Sequence, residues 1–67
     1  MRALINGDLL VCAVPGDLSH RLGEYLVYRN IQDSAWYWYC TENKPEAVSL
    51  ASGLCGHIVQ IQTVDYE

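Results

Sequence analysis

Cys55 and His57 flank Gly56, and with Cys12, Cys40 and His20 they are the thiols and imidazoles from which this chain could build a metal site or a nucleophile. A zinc site wants donors brought together in pairs such as C-x-x-C or H-x-x-x-H, and neither spacing occurs. A thiol nucleophile paired with His20 or His57 needs a third group to orient the base and a cleft to hold a substrate. A chain of 67 residues has little volume from which to carve one. The acids Asp8, Asp17, Glu24, Asp33, Glu42, Glu46, Asp65 and Glu67 stand singly, so spacing sets no two of them to share a proton. The segments "NGD" and "PGD" are turn sequences rather than phosphate-cradling loops. The expectation is a protein with no catalytic residues, no metal and no cofactor, whose three cysteines are small buried hydrophobes.

The elements that must hold these side chains are legible in outline. Asn6-Gly7 between apolar runs is a hairpin signal, because both central residues of a type I′ turn need positive φ. It places strands near 2–5 and 8–14, and Pro15-Gly16 ends the second. The stretch from Asp17 to Gly23 reads as a loop or a single helical turn. From Glu24 the chain becomes β-branched and aromatic, giving strands at 24–31 and 35–42 joined by a polar turn into a long central hairpin. Asn43 and Glu46 have the spacing of a capping box with Pro45 in the first turn, and Ala47, Leu50, Ala51 and Leu54 then fall on one helical stripe. Gly53 or Gly56 is expected to supply a left-handed cap, and residues 57–64 a last strand. The fold class that follows is α+β: a small, mostly antiparallel sheet of four to five strands with one helix on one face, in the order ββ-ββ-α-β, as a single domain over 1–67. A strand-helix-strand crossover sets 57–64 parallel to 35–42, with one strand between them.

The stretch "AWYWYC" at 35–40 poses the functional question. Strict alternation turns Trp36, Trp38 and Cys40 to one face and Ala35, Tyr37 and Tyr39 to the other. A helix of about three turns with a stripe half made of alanine covers only one face of such a sheet. Each ring carries ~150–250 Å² of surface, so two or three left in water make a patch that monomers rarely expose. The indoles are expected under the helix. Tyr37 and Tyr39, with Tyr25 or Tyr28, are expected outward, where a phenol tolerates a half-wet interface, and Arg29 is the cation central to the hairpin. The competing expectation is that the rings are core, covered by the loop at 15–24.

Charge narrows the partners. The chain carries a formal net charge of −4, with Arg2, Arg21, Arg29 and Lys44 as its cations, and four scattered cations are a poor phosphate-neutralising surface. Nucleic acid is disfavoured. No stretch approaches the ~20 apolar residues of a membrane span, and "LLVCAV" at 9–14 follows Asp8 and is short for a secretory core. The odd number of cysteines leaves at least one thiol unpaired, which suits a reducing cytoplasm.

In size, acidity and lack of active-site motifs the chain resembles the small accessory proteins of phages and other mobile elements, including anti-CRISPR and other anti-defence inhibitors. That resemblance is of class only and carries over no residues; the aromatic face itself points to a non-enzymatic protein that acts by binding a protein partner, with homodimerisation as a companion property. The residues expected to carry binding are Tyr25, Tyr28, Arg29, Tyr37 and Tyr39, since aromatics are enriched at binding hot spots. The alternatives are a small-molecule or nucleotide-binding module whose aromatic face closes over a planar ligand, and a single-stranded nucleic-acid binder that stacks bases on the same rings.

Overall fold

The computed structural model describes residues 1–66, and over them the chain forms six strands and one helix. In chain order these are β1 (Ala3–Ile5), β2 (Leu9–Cys12), β3 (Tyr25–Ile31), β4 (Ser34–Thr41), α1 (Lys44–Leu54), β5 (His57–Gln60) and β6 (Val64–Tyr66). Two tight turns set the hairpins. Asn6 and Gly7 both adopt positive φ, 55° and 81°, as do Gln32 and Asp33, 52° and 65°, which is the backbone twist that joins antiparallel strands closely. The α+β class is as expected, but the sheet has six strands in the order β5-β3-β4-β2-β1-β6 rather than four or five. β2 and β4 run parallel while the other neighbours run antiparallel, so β5 is parallel to β4 with β3 between them.

The extra strand comes from a break in the last one. Residues 57–64 were expected as a single strand; instead β5 lies at one edge of the order and β6 at the other, only three residues later. Six strands laid flat span about 24 Å at ~4.8 Å spacing, whereas the link from Gln60 to Val64 reaches at most about 14 Å. The sheet must therefore roll up until its edges meet. Backbone hydrogen bonds carry the closure: Ile61 N–H donates to the Glu24 carbonyl and Gly23 N–H to the Ile61 carbonyl, both at 2.8 Å, while Asn6 N–H donates to the Thr63 carbonyl at 3.1 Å. The Asn6 side chain completes the seam. Its amide donates to the Gln60 carbonyl at 2.7 Å, and its oxygen accepts from the Gln62 and Thr63 amides at 2.6 and 3.2 Å.

The core fills the roll. Ala3, Ile5, Val11, Val14, Leu18, Leu26, Ala35, Cys40 and Ile61 pack together inside, ringed by half-buried Leu9, Tyr28, Tyr37, Val59, Val64 and Tyr66. Leu18 comes from the 13–24 segment, which contains a single 3-10 turn at Ser19–Arg21 and folds across one end of the barrel. Tyr66 ties this segment down, accepting from the Leu18 amide and donating to the Gly16 carbonyl at 2.9 Å.

Outside the roll, α1 lies over β3, β4 and β5, with Ala47 and Ala51 against Val27 and with Tyr25 and Ile58 at the margin. Asn43 caps it as expected, its side chain accepting from the Glu46 amide at 3.3 Å. The left-handed C-cap, however, is Cys55 at φ 55° rather than Gly53 or Gly56. Gly56 meets a different demand: a Cβ there would lie 2.6 Å from the Tyr28 carbonyl oxygen, so a residue with no side chain lets the chain turn against β3. No helix of the described residues is long and apolar enough to cross a membrane.

Candidate functional site

The placement of the aromatics turns on a bulge. Val27 pairs with Tyr39 and Tyr28 with Tyr37, so Trp38 is a surplus residue in the β4 ladder. A surplus residue shifts the phase of alternation by one, and side chains beyond it change face. Cys40 therefore shares the inner face with Tyr37 and Ala35, although strict alternation groups it with Trp36 and Trp38. Tyr37 and Tyr39 do not share a face. Tyr28 and Tyr37, expected outward, are half-buried against the inner core, because their cross-strand pairing points both into the roll. The 13–24 segment contributes Leu18 to the core against which these two rings pack.

Trp38 and Tyr39 remain outside, 38% and 42% exposed, and the indole of Trp38 does not lie beneath the helix core formed by Ala47 and Ala51. Its ring edge stands 3.8 Å from the position a Gly56 Cβ would take, at the C-terminal end of α1. Tyr39 lies at the other end of the helix, beside Glu46, whose negative charge and hydrogen bond hold the phenol above its ordinary pKa. Glu46 is fixed in turn by Thr41, whose hydroxyl donates to Oε2 at 3.2 Å and accepts from the Asn43 amide at 3.1 Å. Glu46, Leu50 and Leu54 are spaced four residues apart and so run along one flank of α1. That flank leads from Tyr39 to Trp38. Leu50 and Leu54, expected within the buried stripe, are 37% and 42% exposed. The small Ala47 and Ala51 let the helix sit close on Val27 and leave the leucines at its side.

The outer face of β4 thus offers Trp38 and Tyr39, and the flank of α1 that carries Glu46 offers Leu50 and Leu54, as an apolar strip. At its far end Trp36 and Arg29 face each other across β4 and β3, two positions beyond Trp38 and Val27 respectively along the outer face. Trp36 is half-buried next to Cys12, and its indole N–H is buried with no acceptor among the described residues. Arg29 is exposed and has no ion-pair partner among them. Of the five expected binding residues, Arg29 and Tyr39 are thus on the outer surface and Tyr28 and Tyr37 inside. Tyr25 is half-buried at the helix margin, with the Lys44 ammonium 6.0 Å above its ring. Trp38, Leu50 and Leu54 were not singled out as surface residues. The alanine-rich stripe is the sequence signal that could have marked the leucines; a bulge leaves none.

The groups able to do chemistry are dispersed. Cys12 and Cys40 are buried, and burial raises the Cys40 pKa while the Tyr37 hydroxyl beside it pulls the other way. Cys55 is exposed, and His57 turns its ring toward Tyr28, with centroids 5.5 Å apart. His20 lies on the exposed 3-10 turn, where Arg21 pairs with Glu24 at 3.3 Å. Among the described residues no three of His, Cys, Asp or Glu are grouped to hold a metal ion. An open depression on the solvent side of α1 is lined by Lys44, Pro45, Val48, Ser49 and Ser52, with no aromatic residue in its lining. No protein-family model matches the chain, and neither a curated protein nor a solved structure matches it.

Proposed function

We propose that this is a small non-enzymatic interaction protein that works by docking the outer strip of Trp38, Tyr39, Leu50 and Leu54 onto a protein partner. One observation carries the reading: Trp38 and Tyr39 on β4 and Leu50 and Leu54 on α1, the helix that packs over β4, are large apolar side chains each more than a third exposed. Two rings and two leucines left in water are costly, at about 25 cal/mol per Å² of apolar surface, and a partner that covers them recovers that free energy. Aromatic anchors at the centre of such a patch are the usual carriers of binding energy. The class this reading suits is the anti-defence accessory protein, and three unpaired thiols support action in a reducing cytoplasm.

The test is affinity capture with tagged protein, offered both a bacterial lysate and a second copy carrying a different tag. The double variant Trp38→Ser, Tyr39→Ser is the comparison. Circular dichroism is expected to be unchanged, since both rings lie outside the core. Partner retention is expected to fall at least about thirtyfold, the loss of a ~2 kcal/mol hot spot. Binding that survives the double substitution would remove the strip from consideration.

A further inference from the structure

The strip has an acid at one end and a base at the other. Glu46 stands beside Tyr39 at the start of α1, and Arg29 lies past its end, beside Trp36, with the apolar residues between them. From position 36 to 41 of β4 this is a run of about 17 Å at ~3.3 Å per residue. A surface that is positive at one end, apolar in the middle and negative at the other is its own complement when turned through a two-fold axis. Rotation about the strip's centre brings the Arg29 end of one chain to the Glu46 end of the other, and apolar middle to apolar middle. That is the requirement of an isologous interface. The outward charges of the strip cancel, whereas the chain as a whole carries −4. Two copies therefore meet there without the like-charge repulsion that opposes contact elsewhere.

We propose that the partner seated on this strip is a second copy of the chain, in a two-fold dimer in which Arg29 of each protomer pairs with Glu46 of the other. The proposal rests on reading the strip as a protein-docking surface. Size sets its extent. A stable interface takes about 800 Å² from each partner, about a fifth of the 4167 Å² this chain exposes. The contact must then run the whole length from Arg29 to Glu46 and cannot be confined to the two rings. Trp38 sits near the axis.

The experiment is molecular mass by light scattering and sedimentation over a concentration series, with the variants Arg29→Glu and Glu46→Arg alone and mixed. The wild type is expected to approach twice its 7.6 kDa mass as concentration rises, and Trp38→Ser with Tyr39→Ser to stay at the single mass. Each charge reversal places two like-charged pairs across the axis and is expected to weaken association at least tenfold. An equimolar mixture of the two reversals forms two attractive pairs and is expected to recover wild-type association to within about threefold. Circular dichroism of each variant separates lost association from lost fold. A single mass at all concentrations to about 1 mM overturns the dimer, as does a dimer indifferent to these substitutions or a mixture no tighter than its components. A monomer whose strip still binds a different protein overturns the second copy alone and leaves the proposed function standing.

Discussion

Cys55 and Gly56, adjacent at the end of α1, divide two backbone demands between them, and the division runs against composition. The left-handed position falls on Cys55, where a side chain costs about 1–2 kcal/mol, while Gly56 fills a place that is tight rather than left-handed. The hydrogen bonds explain the offset: Gly56 N–H reaches the Ala51 carbonyl at 2.7 Å, six residues closing the helix end, which fixes the preceding residue as the left-handed one. Opposite outcomes follow for neighbouring substitutions. Cys55→Gly is expected to raise stability by up to about 1 kcal/mol through relief of that strain. Gly56→Ala is expected to lower it by about 1–3 kcal/mol, because the added methyl meets the Tyr28 carbonyl, a backbone atom that cannot swing aside. Urea-denaturation midpoints of both variants check this, and equal shifts of the same sign would refute it.

At the scale of elements, α1 and β4 differ in how locally they are specified. α1 was legible because its signals sit within a few residues: Asn43 at the cap, Pro45 in the first turn, alanines at helical spacing. Its hold on the sheet is slight, with only Ala47 and Ala51 buried, so the cap matters to its stability. Asn43→Ala is expected to cost about 1 kcal/mol and to lower the melting temperature by about 4–8 °C, read in a thermal scan by circular dichroism. A shift below about 1 °C would mean that tertiary contacts alone hold the helix. β4 was found as a strand, but its facing was not, since the bulge at Trp38 is defined by the pairing of Val27 and Tyr28 with Tyr39 and Tyr37. Nothing within residues 35–40 distinguishes the surplus ring from its neighbours.

For the molecule as a whole, the closing contact is made by Tyr66 from the far end of the chain. Its hydroxyl joins β6 to the 13–24 segment through Leu18 and Gly16, and so holds Leu18 in the inner core against which Tyr28 and Tyr37 pack. Loss of solvent around the phenol, with the Asp17 carboxylate beside it, pushes its pKa up to about 12 from the ordinary value near 10. A folded-state pKa above the unfolded one means that the folded state holds the proton more tightly. The contribution is therefore whole below about pH 10 and is lost as pH rises toward about 12. Tyr66→Phe is expected to be less stable at neutral pH, by about 1 kcal/mol, chiefly for the part-buried Leu18 amide left without a partner. Its urea midpoint is also expected to change less between pH 10 and 12 than the wild type's. Because burial raises Tyr37 as well, a residual slope remains in the variant, and the difference between the two proteins isolates Tyr66. Parallel slopes would show that the phenol is not the latch.

The sequence by itself determined the local elements: the turn at Asn6-Gly7, the central hairpin, the capped helix and the α+β class. Each follows from residues that are neighbours in the chain, through turn φ values, β-branched runs and helical spacing. It also determined that more ring surface exists than one alanine-faced helix can shelter. Only the tertiary structure decided which rings remain outside. Rolling the sheet broke the last strand at residues 61–63, half-buried Tyr28 and Tyr37 against the inner core, and set Trp38 at a bulge that turned Cys40 inward. The exposed strip then passed to Trp38, Tyr39, Leu50 and Leu54. Those choices depend on contacts between residues far apart in sequence, where the free energy of closing the barrel outweighs the strict alternation of any single strand.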